Sequence, residues 1–329
     1  MSQKTILITG GAGYIGSHTA RQLGARGDRI VTLDNLIKGY KSAITYGDLV
    51  VGNTGDAEIV TKILIDYNVD TVIHFAAHTI VPESVEDPLK YYGNNTCSTR
   101  TLLECCIKQG VKNFIFSSTA AVYGIPETDQ AYESAYLKPI NPYGTSKLMT
   151  EMMLQDVGAV TDLNYVILRY FNVAGSDPQG RIGQRTPQAT LLIKVACEVA
   201  VGKREALYIF GTDYATPDGT GVRDYIHVED LAMAHLDAVD YLKKGGESTV
   251  LNVGYGHGYS VREVADAVSK ANGTPIKVIE EERRAGDPPI LIAGAEKIKE
   301  TLGWQPEYDD LDAIVRHSLD WERKMLAED

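Results

Sequence analysis

The sequence has few cysteines, no long apolar run and no excess of basic residues. None of its four cysteines stands in a CxxC pair, and two of them, Cys105 and Cys106, are adjacent. We therefore expect neither a disulfide framework nor a zinc site, and no bound metal. No segment approaches the ~20 apolar residues of a membrane span, and the apolar run near the N-terminus is too short for a secretory signal. These absences predict a cytoplasmic protein with no membrane partner.

Basic residues are also fewer than acidic ones. The 32 Lys+Arg against 44 Asp+Glu give a net charge of −12 at pH 7. Such a surface disfavours non-specific binding of nucleic acid, so no nucleic-acid partner is expected, and an anionic ligand would need a local cluster of arginines. The 329 residues are long enough for two lobes around one ligand cleft.

Short β-branched runs alternate with longer amphipathic stretches along the first half of the chain. The predicted strands are residues 5–9, 30–33, 49–51, 71–75, 113–117 and 165–170. The predicted helices between them include residues 13–26, 57–67, 88–109 and 142–157. Apolar strands that alternate with helices predict an α/β fold of the Rossmann type, a doubly wound parallel sheet with helices on both faces.

A glycine-rich turn follows the first predicted strand. Gly10, Gly13 and Gly16 are spaced as G-x-x-G-x-x-G at the start of a helix. Glycines let the backbone approach a pyrophosphate, whose charge is stabilised by the helix N-terminus, although a turn that binds nothing would also use them. Asp34 ends the second strand, where an acid accepts hydrogen bonds from the adenosine ribose. Because a carboxylate repels a 2′-phosphate, the predicted cofactor is NAD rather than NADP.

The pattern changes after Phe171, where a Gly/Pro/polar stretch of residues 172–187 begins. A helix-like run follows at 189–201, and then a turn-rich segment that ends at Arg223. Residues 228–242 again have helical spacing, and 250–253 form a strand-like run that would rejoin the first sheet. We therefore predict a dinucleotide-binding domain of residues 1–171 plus about 224–258, and a smaller mixed α/β domain of about 172–223 plus 259–329.

Tyr143 and Lys147 form a Y-x-x-x-K pair. Residues four apart share one face of a helix, so the lysine lies beside the phenol. A free tyrosine has a pKa near ~10, and a nearby cation favours the phenolate. Of the 19 tyrosines only Tyr143 has a lysine four residues later, and about one such pair is expected by chance. The position of the pair in the chain is therefore better evidence than its spacing. Thr119 follows the fifth strand, at the edge where open α/β sheets bind ligands, and is the predicted hydrogen-bonding partner of the same substrate oxygen.

These motifs are similar to those of the extended short-chain dehydrogenase/reductases. The matching segments run nearly end to end and include GGAGYIGSHTA, KNFIFSSTAAVYG, NPYGTSK, LRYFNVAG and IFGTDYATPDGTGVRDYIHVEDLA. Within that family the sequence resembles the nucleotide-sugar 4-epimerases that act on UDP-glucose and UDP-galactose. The resemblance implies an isomerase with tightly bound NAD that is not consumed. It also implies that Tyr143 removes the 4-hydroxyl proton, that hydride passes from C4 to the nicotinamide, and that the keto-sugar rotates before hydride returns to its other face.

The resemblance also implies the residues of both binding sites. For NAD they are, besides the three glycines and Asp34, Tyr14, Ile15, Asn35, Asn53, Thr54, Phe75, Ala76, Ala77, Asn94, Lys147 and Tyr170. For the UDP-sugar they are, besides Thr119 and Tyr143, Phe171, Asn172, Leu192, Phe210, Arg223, Arg284, Asp287 and Leu291. Guanidinium groups bind phosphate bidentately, so the two arginines would clamp the diphosphate; ordinary surface ion pairs are the alternative.

The sequence departs from the family pattern at four positions. Asn53 stands where many members have Asp, Thr79 where a lysine is typical, and Leu191 near the place of a substrate-contacting Asn. Leu291 aligns with a gate position that is bulky in some members and small in others, and its size is intermediate. UDP-glucose and UDP-galactose are therefore the expected substrates, with UDP-N-acetylhexosamines or UDP-pentoses as alternatives.

Three other functions are compatible with parts of the pattern. A nucleotide-sugar dehydratase needs acidic groups directly after the Ser/Thr, but this chain has Ala120 and Ala121, whose methyl groups transfer no protons. A reductase that releases its reduced cofactor remains possible from the motifs, although Asp34 disfavours NADPH. A non-catalytic NAD-binding regulator would not need Thr119, Tyr143 and Lys147 together.

Two predicted helices bear on assembly. Residues 88–109 and 142–157 resemble the helices that form a four-helix dimer contact in this family. The resemblance therefore implies a homodimer.

Overall fold

The computed structural model describes residues 4–186, 189–284 and 286–328. The strands are β1 (Thr5–Thr9), β2 (Ile30–Asp34), β3 (Asp48–Val51), β4 (Val69–His74), β5 (Asn113–Ser117), β6 (Gln130–Ala131), β7 (Asn164–Tyr170), β8 (Asn172–Ala174), β9 (Leu207–Phe210), β10 (Val222–Arg223), β11 (Tyr225–His227), β12 (Thr249–Val253), β13 (Tyr259–Ser260), β14 (Val278–Glu281) and β15 (Ile290–Ala293).

The α-helices are α1 (Tyr14–Arg26), α2 (Ala57–Asp66), α3 (Val81–Glu86), α4 (Pro88–Tyr91), α5 (Ser98–Gln109), α6 (Pro142–Val160), α7 (Leu192–Ala200), α8 (Val228–Lys243), α9 (Val261–Asn272), α10 (Glu296–Leu302) and α11 (Leu311–Glu328). A π-helix at Tyr92–Cys97 joins α4 to α5, and single 3₁₀ turns lie at Lys41–Ala43 and Ala120–Val122.

Seven strands form the central sheet in the order β12-β7-β5-β4-β1-β2-β3. Every neighbouring pair in it is parallel. The predicted fold class is therefore confirmed, and each of the six strands predicted in the first half of the chain is present within two residues of its predicted limits.

Both faces of this sheet are buried, which explains the continuous apolar runs. On β1, Ile6 and Ile8 pack into one core cluster with residues of α1 and α8. Leu7, between them, points the other way and packs with residues of α2 and α5. Because successive side chains of a strand alternate between faces, a strand covered on both sides is predominantly apolar rather than alternating between apolar and polar residues.

The strand order reverses between β1 and β4. From β1 the chain moves outward through β2 to β3, then returns to β4 and continues outward on the other side to β12. The carboxyl ends of β1 and β4 therefore border a crevice, the position at which open α/β sheets bind ligands.

The remaining strands form smaller sheets. The largest has the order β13-β10-β15-β6, and β9 pairs with β14 while β8 pairs with β11. β12 returns to the central sheet beside β7, as expected from residues 250–253. β6, which lies within residues 1–171, pairs with β15 of the second region. The division into two domains at the limits given above stays a prediction.

Two helices differ from their predicted limits. The segment 88–109 is helical throughout but contains the π-helix, whose wider turns are common near functional sites. The helix expected over 189–201 begins only at Leu192, because Leu191 is extended and serves as the N-cap; Pro187 and Gln188, just before it, lie outside the described residues. Across the described ranges, no helix is long and apolar enough to cross a membrane.

Candidate active site

A cavity of about 500 Å³ opens at the carboxyl ends of the central strands. Its wall includes residues that follow β1, β2, β4, β5 and β7, namely Gly10, Asn35, Phe75, Thr119 and Phe171. The volume lies within the range of small-molecule and cofactor sites. Within the described ranges, no group of three or more His, Cys, Asp or Glu could hold a metal ion.

The glycine turn at the cavity floor leaves no room for side chains. Gly10 has a φ of +72°, and a Cβ there would lie 2.6 Å from the backbone nitrogen of Ala76, on the neighbouring strand's continuation. A Cβ on Gly16 would collide with the carbonyl oxygen of Gly10. Only glycine therefore permits the strand, the turn and the helix to pack this closely.

The first turn of α1 is open to the cavity. Its N-cap, Gly13, makes no side-chain cap, and the turn contains no acidic residue. Tyr14, Ile15 and Gly16 line the cavity. Unpaired backbone N–H groups at a helix N-terminus attract anions, so this turn fits the pyrophosphate of a dinucleotide.

Asp34 is held in place at the end of β2. One carboxylate oxygen accepts from Ala12 N at 2.9 Å and the other from Leu36 N at 2.8 Å, which leaves lone pairs for a ribose hydroxyl. Leu36 has a φ of +59°, a left-handed conformation that residues other than glycine rarely adopt, and its N–H is the group that donates to Asp34. Asn53 Oδ1, further along the wall, accepts from Gly55 N at 2.7 Å and keeps a second lone pair. Together with the glycine turn, these residues fit NAD.

Tyr143 stands at the start of α6. Asn141 caps this helix by accepting from Gly144 N at 2.9 Å, which fixes the first turn. Tyr143 is 7% exposed and lines the cavity together with Thr119. Burial raises the pKa of Tyr143 far above its ordinary value, the neighbouring Tyr170 raises it further, and a hydrogen bond with Thr119 lowers it. The protein thus holds the phenol protonated and places a second hydroxyl beside it.

Lys147 lies one turn further along α6 and is 2% exposed. Its Nζ donates to the backbone oxygen of Ser117 at 2.9 Å and lies 4.9 Å from the centroid of the Phe116 ring. Burial lowers the pKa of Lys147 to about 7, and the charge of Glu151 opposes that shift. The amine is therefore behind the cavity wall, next to the strand that ends at Thr119.

Most of the other predicted site residues also line this cavity. On the cofactor side these are Asn35, Thr54, Phe75, Ala76, Ala77, Asn94 and Tyr170. On the substrate side they are Phe171, Asn172, Arg223, Asp287 and Leu291. Arg223 and Leu291 are register partners on the parallel strands β10 and β15, so this pairing places both residues in the same part of the wall.

Three predicted substrate contacts are not part of the described cavity wall. Leu192 packs against the core cluster, and the wall beside it is formed by Thr190 and Leu191, because α7 begins later than expected. The guanidinium carbon of Arg284 lies 3.6 Å from the ring centroid of Phe210. This cation–π stack places the two side chains on each other rather than in the wall, so their substrate contacts remain predictions.

Some lining residues were missed by the sequence analysis. Lys38, His78 and Gln184 all lie in loops that only the tertiary structure brings to the cavity. Lys38 follows Asp34 by four residues in the same loop, a proximity that could have suggested a cation near the cofactor. Burial lowers the pKa of His78, and the charges of Lys90 and Lys38 lower it further, so Lys38 adds positive potential to this wall.

The residues after Thr119 carry no acid. Ala120 and Ala121 form part of the cavity wall, and the Thr119 hydroxyl accepts from Ala121 N at 3.1 Å. No proton donor follows the threonine in this turn, which agrees with the argument against dehydration.

Comparison with known proteins places the chain in context. Residues 6–254 match the NAD dependent epimerase/dehydratase family. A UDP-glucose 4-epimerase of Azospirillum brasilense is 54% identical over 97% of this chain and 92% of its own. Among solved structures, a UDP-glucose 4-epimerase from Brucella ovis in complex with NAD has a TM-score of 0.94 at 44% identity, covering 96% of this chain and 98% of that one. A UDP-Glc/GlcNAc 4-epimerase from Campylobacter jejuni has a TM-score of 0.86 at 51% identity, covering 98% and 99%.

Proposed function

The chain belongs to the NAD dependent epimerase/dehydratase family, and from that premise we propose that it epimerises UDP-sugars at C4. The observation that carries the proposal is the meeting of Thr119 and Tyr143 in the same cavity as the glycine turn. A hydroxyl pair that can hold and move one proton thus lies within reach of a dinucleotide site.

When bound, NAD supplies a hydride acceptor that returns the hydride later, so the reaction consumes no cofactor. The phenol oxygen of Tyr143 takes the proton of the sugar 4-hydroxyl and returns it to the same sugar oxygen when the hydroxyl is formed again. Thr119 donates to the same sugar oxygen and holds it during both transfers. Because burial favours the neutral phenol, a positive charge beside Tyr143 is needed to make it a base, and Lys147 is our candidate.

UDP-glucose and UDP-galactose are the substrates we propose. The relatives named UDP-glucose 4-epimerase support this choice, whereas the Campylobacter jejuni protein's name also includes GlcNAc. Leu291 in the cavity wall is of intermediate size, which supports the smaller sugars without excluding N-acetylated ones by its bulk alone. Arg223 is the cation we assign to the diphosphate.

The test is to incubate the purified chain with UDP-glucose, UDP-N-acetylglucosamine and UDP-xylose separately, and to resolve the 4-epimers by chromatography. We expect UDP-galactose as the main product, and NAD to appear in stoichiometric amount when the protein is denatured. If none of the three sugars is converted, the proposal is refuted.

Replacing Tyr143 by Phe should lower the rate of conversion by about 10²–10⁴-fold, because the proton acceptor is lost. NAD content and thermal stability should stay near those of the unmodified chain, since the ring and its packing remain. Tyr136→Phe, at an 81% exposed tyrosine, is the matched control and should keep full activity. Unchanged turnover in Tyr143→Phe would contradict the mechanism.

We propose a homodimer as well. α6 packs against α3 and α4, and these three helices expose Val85 and Leu89 together with Met149 and Met152. Exposed apolar residues clustered on adjacent helices are typical of subunit contacts. A cytoplasmic location is proposed from the sequence composition.

A further inference from the structure

Glu151 is a fully buried carboxylate on α6, with 0% exposure. The Ser118 hydroxyl donates to one of its oxygens at 2.5 Å. The Arg169 guanidinium donates from Nε to both oxygens at 3.1 Å and from Nη2 to one at 2.6 Å. A carboxylate with this many charge-assisted partners is held in one position.

The three residues come from the three elements that carry the reactive side chains. Ser118 precedes Thr119 after β5, and Arg169 precedes Tyr170 at the end of β7. On α6, Glu151 follows Lys147 by four residues, so both lie on one face of the helix. One buried carboxylate therefore links the threonine, the tyrosine–lysine helix and the strand beneath the cavity.

We propose that Glu151 is a positioning residue that keeps Lys147 in its charged form while Tyr143 exchanges the substrate proton. The inference rests on the proposed function, because it assigns a cause to the positive charge that Tyr143 needs. Glu151 acts through Lys147 and does not itself reach the cavity.

The surroundings of Lys147 support this assignment. Its amine contacts the Ser117 carbonyl and the Phe116 ring, and His74 stacks on that ring from β4 with centroids 5.8 Å apart. Burial and the charge of Lys147 hold the pKa of His74 at about 3, so this histidine is neutral at physiological pH.

The tyrosines near the amine are neutral too. Burial raises the pKa of both Tyr143 and Tyr170, so neither phenol provides a counter-charge. Burial alone drives Lys147 toward the uncharged amine, and the charge of Glu151 opposes it. Among the described groups that face Lys147, Glu151 is therefore the anion that can stabilise its charged form.

Arg169 pairs with Glu151 and so explains why the Glu151 carboxylate does not form an ion pair directly with Lys147. Its guanidinium occupies both Glu151 oxygens, while the Lys147 amine donates to Ser117. Lys147 thus experiences the field of Glu151 and keeps N–H groups that the carboxylate does not take. A buried Arg–Glu pair adds little net stability, so a role in the charge of Lys147 gives it a functional reason.

The test compares the titration of Lys147 in the unmodified chain with its titration in variants. The full-length protein is labelled with ¹³C at the lysine ε-carbon, and the titration is followed by NMR. Lys147→Arg identifies the resonance. In Glu151→Gln, which keeps the size and loses the charge, we expect the Lys147 midpoint to fall by on the order of one pH unit. The alkaline limb of kcat for UDP-glucose should move to lower pH by the same amount, with a smaller change in KM.

Three further variants serve as controls for this result. Glu151→Asp should restore most of the midpoint, because the charge is retained. If Glu151→Gln does not fold, since it leaves Arg169 unpaired, Glu151→Gln/Arg169→Met removes both charges and should still lower the midpoint, by less than Glu151→Gln because the repulsion from Arg169 is lost as well. Glu322→Gln removes a buried carboxylate of α11 that is paired with Lys194 of α7, so it alters neither α6 nor the contacts of Lys147, and it should leave the Lys147 midpoint unchanged.

A folded Glu151→Gln or double variant with an unchanged Lys147 midpoint overturns the inference. So does a shift of equal size in Glu322→Gln, which would indicate a general effect of destabilisation. The NMR readout does not depend on turnover: an unmodified chain that fails to epimerise refutes the proposed function, whereas the titration still decides the role of Glu151.

Discussion

Gly10 and Gly110 show that two glycines with the same backbone angle can be required for different reasons. Both have a φ of +72°. A Cβ on Gly110 would meet nothing within 4 Å, whereas a Cβ on Gly10 would lie 2.6 Å from Ala76 N. Glycine is required at position 110 only for the backbone conformation. At position 10 it is required also for the close packing beneath the cofactor site.

Gly110→Ala should therefore lower the free energy of unfolding by about 1–2 kcal/mol, the cost of a left-handed alanine, without changing NAD content. Gly10→Ala carries the same conformational cost and also displaces the strand continuation at Ala76. We expect a larger loss of stability and loss of bound NAD. Denaturant unfolding and NAD released per chain measure the two effects, and equal NAD retention in both variants would show that the close approach is unimportant.

At the residue scale, motifs with a backbone mechanism were predictable. The spacing of Gly10, Gly13 and Gly16 and the place of Asp34 follow from how a dinucleotide meets a strand–turn–helix unit, and all four line the cavity. Lys38 and His78 were not predictable, because a loop residue reaches a site only through the path of its loop. The role of Thr119 as the group that lowers the pKa of Tyr143 likewise depends on a distance that spacing cannot give.

At the scale of elements, the start of α6 sets the position of the phenol. Asn141 caps α6 by accepting from Gly144 N, and Asp56 caps α2 by accepting from Glu58 N and Ile59 N. The two caps have similar chemistry, but only the first stands beside the cavity.

Asn141→Ala and Asp56→Ala should each cost about 1 kcal/mol of stability, because each leaves helix N–H groups without an acceptor. Only Asn141→Ala should also lower kcat, since the first turn that carries Tyr143 becomes less fixed. Thermal unfolding and epimerisation rates test the pair. A similar fall of kcat in Asp56→Ala would mean that activity follows stability alone.

Element types were easier to predict than element limits. The period of apolar residues predicted the helix over 88–109 but not the π-helix within it. It is nevertheless important, because it carries Asn94 to the cavity wall and lets Asn95 donate to Ser146 Oγ on α6 at 3.0 Å. Such a local widening results from tertiary packing and has no sequence signature of its own.

At the scale of the whole molecule, buried histidines predict sensitivity to acid. Burial lowers the pKa of His74 to about 3 and that of His235 to about 4, from an ordinary value near 6.5. Below about pH 6.5 the unfolded chain binds protons that the folded chain does not. Stability is therefore full above that pH and is lost progressively as the pH falls toward 3–4.

His235→Phe tests this linkage, because it removes a titrating ring and keeps an aromatic partner for Phe75, which lies 4.6 Å away. Between pH 7 and pH 4.5 the variant should lose less unfolding free energy than the unmodified chain. Urea unfolding at several pH values measures the slope. The exposed His257→Gln is the control, and a slope in His235→Phe identical to that of the unmodified chain would contradict the prediction.

The proposed dimer is also a property of the whole molecule. Met149→Glu/Met152→Glu introduces charge into the apolar face of α3, α4 and α6, and should convert the dimer into a monomer with little loss of fold. Ile65→Glu changes a residue of α2 that is itself 60% exposed; it is the control and should remain dimeric. Sedimentation velocity distinguishes the states, and a monomeric unmodified chain would exclude the proposal.

The late return of β12 to the central sheet affects how the chain is made. β7 ends at residue 170 and its outer neighbour β12 begins only at residue 249, about 80 residues later. At the usual rate of translation, the edge of β7 stays unpaired for on the order of ten seconds on the ribosome. An unpaired apolar strand edge is a template for pairing with other chains. The nascent protein is thus most exposed to aggregation before its last central strand emerges, well before the C-terminal helices are synthesised.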